Sequence, residues 1–256
     1  MGTNLLSILN DLLKSFTHKL LLFMIMLFIN PPFGNYLNVP NTVSIRGSYT
    51  LNPRKGLILQ IFKTLRYSFA CSGWVNKIGL RNKGIDYAIQ TYKKGEIISI
   101  AILHQDDIDK LLCKVPEDMD IELNVSCPNT EKSVVENGLS QFINDKRSWC
   151  IIKLSPVCET ALIDKYYKEG FRQFHCSNTL PVKYGGLSGE SLIPYTSRLI
   201  KYIKHNYDDT VVIAGGGVKT IEQARKYEKL GADHISASTL FFNPITSWIF
   251  LKKYLS

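Results

Sequence analysis

Between Ile121 and Thr130 the chain reads Ile-Glu-Leu-Asn-Val-Ser-Cys-Pro-Asn-Thr, an apolar start that turns polar at Asn124. From Asn124 onward it offers two amides (Asn124, Asn129), two hydroxyls (Ser126, Thr130) and one thiol (Cys127). Each of these groups costs free energy if it is buried without a partner, so a core strand gains nothing by ending in them. A site that holds a planar, polar heterocycle and moves a proton needs such a cluster.

Other residues with chemical potential recur along the chain. Lys153 stands inside the apolar run Ile151-Ile152-Lys153-Leu154, where a lysine must point into a polar cavity and pair, or snorkel from an edge. Ser177-Asn178-Thr179 follows another short apolar run. Gly215-Gly216-Gly217 lets backbone N–H groups approach an anion closely, and Ser238-Thr239 adds hydroxyls that could serve the same anion. The triple glycine alone could equally make a tight turn.

Short apolar runs alternate with helical patterns. Strands are expected at Met26–Pro31, Thr42–Thr50, Ile97–Leu103, Asp120–Val125, Cys150–Leu154, Gln173–Cys176, Val211–Ala214 and His234–Ala237. Helical spacing covers Ile85–Lys93, Ile108–Lys114, Ala161–Glu169, Ser191–Asn206 and Ile221–Leu230, the last opened by a Thr220-x-x-Gln223 capping box and stopped by Gly231. Eight β/α units in about 250 residues predict an α/β fold, a TIM (β/α)8 barrel, in which functional groups sit at the C-terminal ends of the strands. The polar residues above fall at those ends, and the last two strands carry the phosphate-type turn that such barrels build there. Gly185-Gly186-Leu187-Ser188-Gly189 reads as a flexible loop over the same mouth.

Composition bounds the alternatives. With 45% apolar and 21% charged residues the chain is an ordinary globular protein. Its net charge of +9 comes from scattered Lys and Arg, so a solvated surface with some phosphate contact is expected, and no nucleic-acid partner. The six cysteines form no zinc spacing, which predicts a reducing compartment, a cytoplasmic location and no metal. Leu20–Ile29 is too short to span a bilayer as a helix and reads as a buried first strand rather than a targeting segment, since no small-residue cleavage site follows it. Leu5, Leu6, Leu9, Leu12 and Leu13 have amphipathic helical spacing, so residues 1–24 are expected as an N-terminal helical extension and 25–256 as the barrel. That extension could cover the barrel bottom; membrane association is the less favoured use.

Several motifs together resemble dihydroorotate dehydrogenases: Asn-Val-Ser-Cys-Pro-Asn-Thr (124–130), Ser-Asn-Thr (177–179), Gly-Gly-Leu-Ser-Gly (185–189), Ala-Gly-Gly-Gly-Val (214–218), the loop Asn76 to Asp86 and the second-strand segment Ser48 to Arg54. The likeness runs from about Pro31 to Phe241, in order. It implies FMN on a TIM barrel and oxidation of dihydroorotate to orotate, a step of pyrimidine synthesis. A base takes a proton from C5 while a hydride leaves C6 for flavin N5. By resemblance Cys127 is that base, active as a thiolate. Asn76, Asn124, Asn129, Asn178 and Thr179 would hold the substrate, with the backbone of Ile78, Gly79 and Leu80 receiving its carboxylate. Ser48, Asn124, Lys153, Gly189, Gly216, Gly217, Ser238 and Thr239 would hold FMN. The cysteine branch passes electrons to fumarate or NAD, the serine branch to quinone. A homodimer stays open.

The chain departs from the pattern at Gly47, where many cysteine-type members have a lysine, and at Ala214 and Ser238, where glycines are usual. Arg46 is expected on the opposite strand face, and Asn82 and Asn206 read as ordinary turn asparagines. Another FMN-dependent dihydropyrimidine or dihydrouridine oxidoreductase, or a non-catalytic barrel of the same descent, are the alternative readings.

Overall fold

A computed structural model describes residues 25–125, 135 and 137–255. The expected N-terminal helical extension, residues 1–24, lies outside the described residues, as does most of the 126–136 stretch.

In chain order the strands are β1 (Leu27–Ile29), β2 (Thr42–Tyr49), β3 (Arg66–Ser68), β4 (Gly73–Asn76), β5 (Ile97–Ala101), β6 (Ile121–Asn124), β7 (Cys150–Leu154), β8 (Gln173–Cys176), β9 (Leu180–Val182), β10 (Gly185–Gly189), β11 (Val211–Ala214) and β12 (His234–Ala237). The helices are α1 (Leu57–Thr64), α2 (Ile85–Gln90), α3 (Asp107–Leu112), α4 (Thr160–Lys168), α5 (Ile193–Asn206), α6 (Ile221–Lys229) and α7 (Pro244–Tyr254). Eight parallel strands close in the order β1-β12-β11-β8-β7-β6-β5-β2, which is the expected TIM barrel. The capping box forms at α6: the Thr220 hydroxyl accepts from the Gln223 backbone, and the Gln223 side chain accepts in return. No helix among the described residues is long and apolar enough to cross a membrane.

Strand side chains alternate between two environments with period two. Outward positions such as Ile98, Ile100, Leu123, Ile152 and Phe174 are fully buried under the helices. Inward positions are layered. Phe28, Ile45, Ile97, Ile151 and Ile213 pack as one fully buried cluster with Met26, Val43 and Trp149 against it, forming an apolar floor near the strand N-termini. His234 sits in this floor beside Phe28 and Trp149; its Nδ1 accepts the Met26 N–H, and burial pushes its pKa down to about 4. Two residues further along each floor strand the inward position changes character, to Asn30, Gly47, Ser99, Lys153 and Gly215. The floor is oily, and the next layer is polar or glycine.

The structure corrects two sequence expectations and adds a sheet that the sequence did not predict. Gly185–Gly189 is no flexible loop: as β10 it pairs antiparallel with β4 on one side and β9 on the other. The backbone bonds of both neighbours hold what composition alone reads as slack. The four-stranded sheet β3-β4-β10-β9 was not foreseen, because its strands are short and glycine-rich and half of it precedes α2 while the other half follows β8. Asn82 is more than a turn residue, since its carboxamide joins the Thr50 hydroxyl, the Leu80 carbonyl and the Gly84 N–H, tying β2 to the loop before α2. Asn206 bonds only the Tyr202 carbonyl one turn back, and Arg46 points outward to Glu96 and Thr91, both as expected.

Gly47 shows why no lysine stands there. Its φ is +129°, its N–H and C=O are bracketed by the Asn35 carboxamide, and a Cβ would lie 2.5 Å from the Ser99 carbonyl oxygen. Replacing Gly47 by Ala is therefore expected to cost about 2 kcal/mol or more, seen as a fall of roughly 4–8 °C in the thermal midpoint. An unchanged melting curve would contradict this backbone geometry.

Candidate active site

The polar layer above the floor is a connected network. Glu122, on β6 and fully buried, points inward beside its register partner Ser99 on β5. Its Oε1 accepts from Ser99 Oγ at 2.7 Å and from Lys153 Nζ at 3.2 Å. Its Oε2 lies 2.5 Å from His175 Nδ1 on β8. His175 Nε2 in turn meets Ser236 Oγ of β12 at 2.7 Å, and Asn30 Nδ2, just past β1, donates to that hydroxyl at 3.0 Å. Strands β6 and β12 are not neighbours, so these contacts cross the barrel interior.

Electrostatics assigns the protons. Burial is the largest influence on Glu122 and would raise its pKa, but the Lys153 charge together with His175 and Ser99 outweighs it, holding the carboxyl down at about 2. For His175, burial and then the Lys153 charge lower the pKa and outweigh the carboxylate's pull. The state at neutral pH is an ionised Glu122 and a neutral His175 that donates from Nδ1.

Above this network lies a cavity of about 100 Å³ that opens to solvent. It is lined by Lys153, Asn178, Thr179, Gly189, Gly216, Gly217, Ser238 and Thr239 among the expected residues, joined by Asn30 and Ser236. Five segments supply these: Lys153 from β7, Asn178 and Thr179 just after β8, Gly189 from the end of β10, the glycines after β11, and Ser238 and Thr239 after β12. Two more expected residues join through hydrogen bonds. Asn178 Nδ2 donates to Asn124 Oδ1 at 2.9 Å, and Asn124 Nδ2 donates to Ser48 Oγ at 2.9 Å, a chain from β8 across β6 to β2.

Other expected residues stand elsewhere. Asn76 pairs in register with Gly186 on β10, two residues from Ser188, which puts it ~7 Å along the strand from that edge of the pocket. Its Oδ1 accepts the Ile78 N–H, the Gly79 carbonyl accepts from Arg54, and the Leu80 carbonyl accepts from Asn82. That segment is not part of the pocket lining. Cys127 and Asn129 lie outside the described residues.

Two details refine the anion-turn reading. The Ser238 hydroxyl donates to the Pro31 carbonyl at 2.9 Å, so it ties β12 to the end of β1. A Cβ at Gly215 would fall 2.3 Å from Ser236 Oγ and 3.1 Å from His175 Nε2, so the first of the three glycines makes room for the buried network. Gly216 and Gly217, at φ +85° and +80°, remain the pocket-facing pair.

Glu122, His175, Ser236, Ser99 and Asn30 were not singled out from sequence. The signal was available for Glu122 and His175, each a polar residue two positions before a recognised one (Asn124, Ser177) and so on the same strand face. Two buried side-chain atoms in the pocket lining, Asn30 Oδ1 and Thr179 Oγ1, have no hydrogen-bond partner among the described residues. Orphaned polar atoms beside glycine-lined space suit a polar ring that carries a phosphate.

No protein-family model matches the chain. Among curated relatives, the chain is 28% identical over 244 residues to the catalytic subunit of dihydroorotate dehydrogenase B (NAD(+)) of Thermotoga maritima, covering 83% of this chain and 88% of that protein. The same subunit of Petrotoga mobilis is 28% identical over 230 residues, with 76% and 75% covered. That of Staphylococcus carnosus is 25% identical over 218 residues, with 72% and 71% covered.

Removing the Glu122 charge by Glu122→Gln leaves Lys153 buried without its counter-ion and is expected to destabilise the fold by about 3–5 kcal/mol in urea unfolding. Adding Lys153→Met should recover part of that loss. Acid should act through the same groups. His234 and His175 have lowered folded pKa values, so the unfolded chain binds their protons first and stability is lost as pH falls below the ordinary 6.5, for His234 down to about 4. The Glu122 contribution is full above 4.5 and is lost as pH falls from there through about 2. Urea midpoints should therefore decline steadily between pH 7 and 4; a flat profile would contradict the neutral buried histidines.

Proposed function

We propose that the chain, similar to the catalytic subunits of dihydroorotate dehydrogenase B, is an oxidoreductase of the CH–CH class that oxidises dihydroorotate to orotate with FMN, using Cys127 as the base. The observation that carries this reading is the single pocket lining that joins Lys153, Asn178, Thr179 and the Gly216–Gly217 turn at the strand ends. FMN, when bound, supplies the acceptor for the hydride that leaves C6 of the substrate.

The chain's own residues have separable tasks in this proposal. Gly216 and Gly217 present backbone N–H groups without side-chain bulk, and Thr239 opens a short helical turn beside them, which suits the phosphate. Lys153, oriented by Glu122, is the cation proposed for the pyrimidine edge of the flavin, with Ser48, Asn124, Gly189 and Ser238 as further contacts. Since Gly47 has no space for a side chain, that electrostatic task falls to Lys153. Asn124 and Asn178 orient each other, so each offers a fixed amide edge to a planar ring. Thr179, Asn76, Asn129 and the backbone of Ile78, Gly79 and Leu80 complete the proposed substrate contacts. The proton at C5 passes to Cys127 Sγ, which requires a thiolate beside the cationic and polar mouth. Pyrimidine synthesis and a cytoplasmic location belong to the same proposal.

The purified protein should carry or take up FMN and turn yellow, and anaerobic dihydroorotate should bleach it. Cys127→Ala should lower turnover with an artificial electron acceptor by about 10²–10⁴-fold while orotate still perturbs the flavin spectrum. A protein that FMN cannot colour, or a Cys127→Ala variant with full turnover, would sink the proposal.

A further inference from the structure

Asn30 lies outside every motif that carries the family likeness, yet it is 8% exposed, lines the pocket, and has a buried carboxamide oxygen without partner among the described residues. Which atom of an amide faces which neighbour must be settled by its hydrogen bonds, and here the network settles it. Neutral His175 has one N–H, and Glu122 takes it at Nδ1. Nε2 is then a lone pair, so the Ser236 hydroxyl at 2.7 Å must donate to it. With its proton given away, Ser236 Oγ can only accept from Asn30 at 3.0 Å, and the second amide hydrogen faces His175 Nε2 at 3.3 Å. A flipped amide would set its carbonyl against two acceptors. Both hydrogens of Asn30 are thus committed downward, and Oδ1 is left as an acceptor for the pocket.

We propose that Asn30 Oδ1 is a ligand-binding acceptor that takes a ring N–H of the imide type, N–H beside C=O, from the molecule in the pocket. An acceptor (Asn30) and a cationic donor (Lys153) in one lining complement such an edge. Both are anchored to Glu122, one directly and one through His175 and Ser236. The inference rests on the oxidoreductase reading above, under which two molecules carry this edge, the flavin ring and the dihydropyrimidine substrate. The ligand N–H fills a polar atom that otherwise stays buried and unsatisfied.

Two titrations separate these sources: apoprotein with FMN, followed by flavin fluorescence, and FMN-loaded protein with orotate, followed by flavin absorbance. Asn30→Ala is expected to weaken one of the two by about tenfold, the size of one neutral hydrogen bond, and to leave the other within about twofold. Weakening in the first titration assigns the N–H to the flavin, and the difference should then vanish with FMN methylated at the imide nitrogen. Weakening in the second assigns it to the substrate. If Asn30→Ala does not fold by circular dichroism, the smaller polar substitution Asn30→Ser, whose hydroxyl is too short to replace the amide oxygen in the pocket, should weaken one of the two titrations and leave the other within about twofold. Unchanged affinities in both titrations, or a loss of FMN affinity that persists with the methylated flavin, would overturn the inference while the wild type still binds both ligands. A wild type that binds neither overturns the oxidoreductase reading and this inference with it.

Discussion

A carboxylate buried at the centre of a barrel is the constraint around which this molecule is arranged. Glu122 has no solvent exposure, and an isolated charge there would be too costly to keep. It persists because Lys153 neutralises it and because Ser99 and His175 satisfy its oxygens. Those partners come from β5, β7 and β8, and the relay continues to β12 and β1. One charge thereby ties together six of the eight barrel strands, and any change to it is felt at the pocket lining through Lys153 and Asn30.

The same requirement explains local features that otherwise look unrelated. Gly215 is glycine because the Ser236 hydroxyl and the His175 ring occupy the space where its side chain would be. Gly47 is glycine because the Ser99 carbonyl and the Asn35 bracket leave no alternative. The Asn178–Asn124–Ser48 chain meets the network at Ser99, which lies 2.9 Å from Ser48 Oγ. The amides at the mouth and the charges beneath them are therefore one hydrogen-bonded system.

The barrel was legible because its strands are compact apolar runs separated by helical periods, and all eight appear where those runs occur. Lys153 was legible for the same reason, as a charge inside an apolar run. His175 was harder to see because Gln-Phe-His-Cys has no strong hydrophobic background against which a polar residue stands out. Asn30 precedes Pro31-Pro32 and resembles a turn residue, and its role emerges only when β1 lies beside β12. The small sheet was hidden because β4 and β10, more than 100 residues apart, become strands only by pairing with each other. Contacts of that range leave no local periodicity to read. The motif at 124–130 was the clearest in sequence, and of it the described residues include Asn124 and Val125.

Phe28, Ile45, Ile97, Ile151 and Ile213 close the barrel at its lower end with fully buried apolar side chains. The chamber above them is a cul-de-sac. Whatever enters past the strand ends departs by the same doorway, and two guests wanting the same space must take turns. Closure below thus turns a question of affinity at the mouth into one of sequence in time: who leaves first decides who can come next.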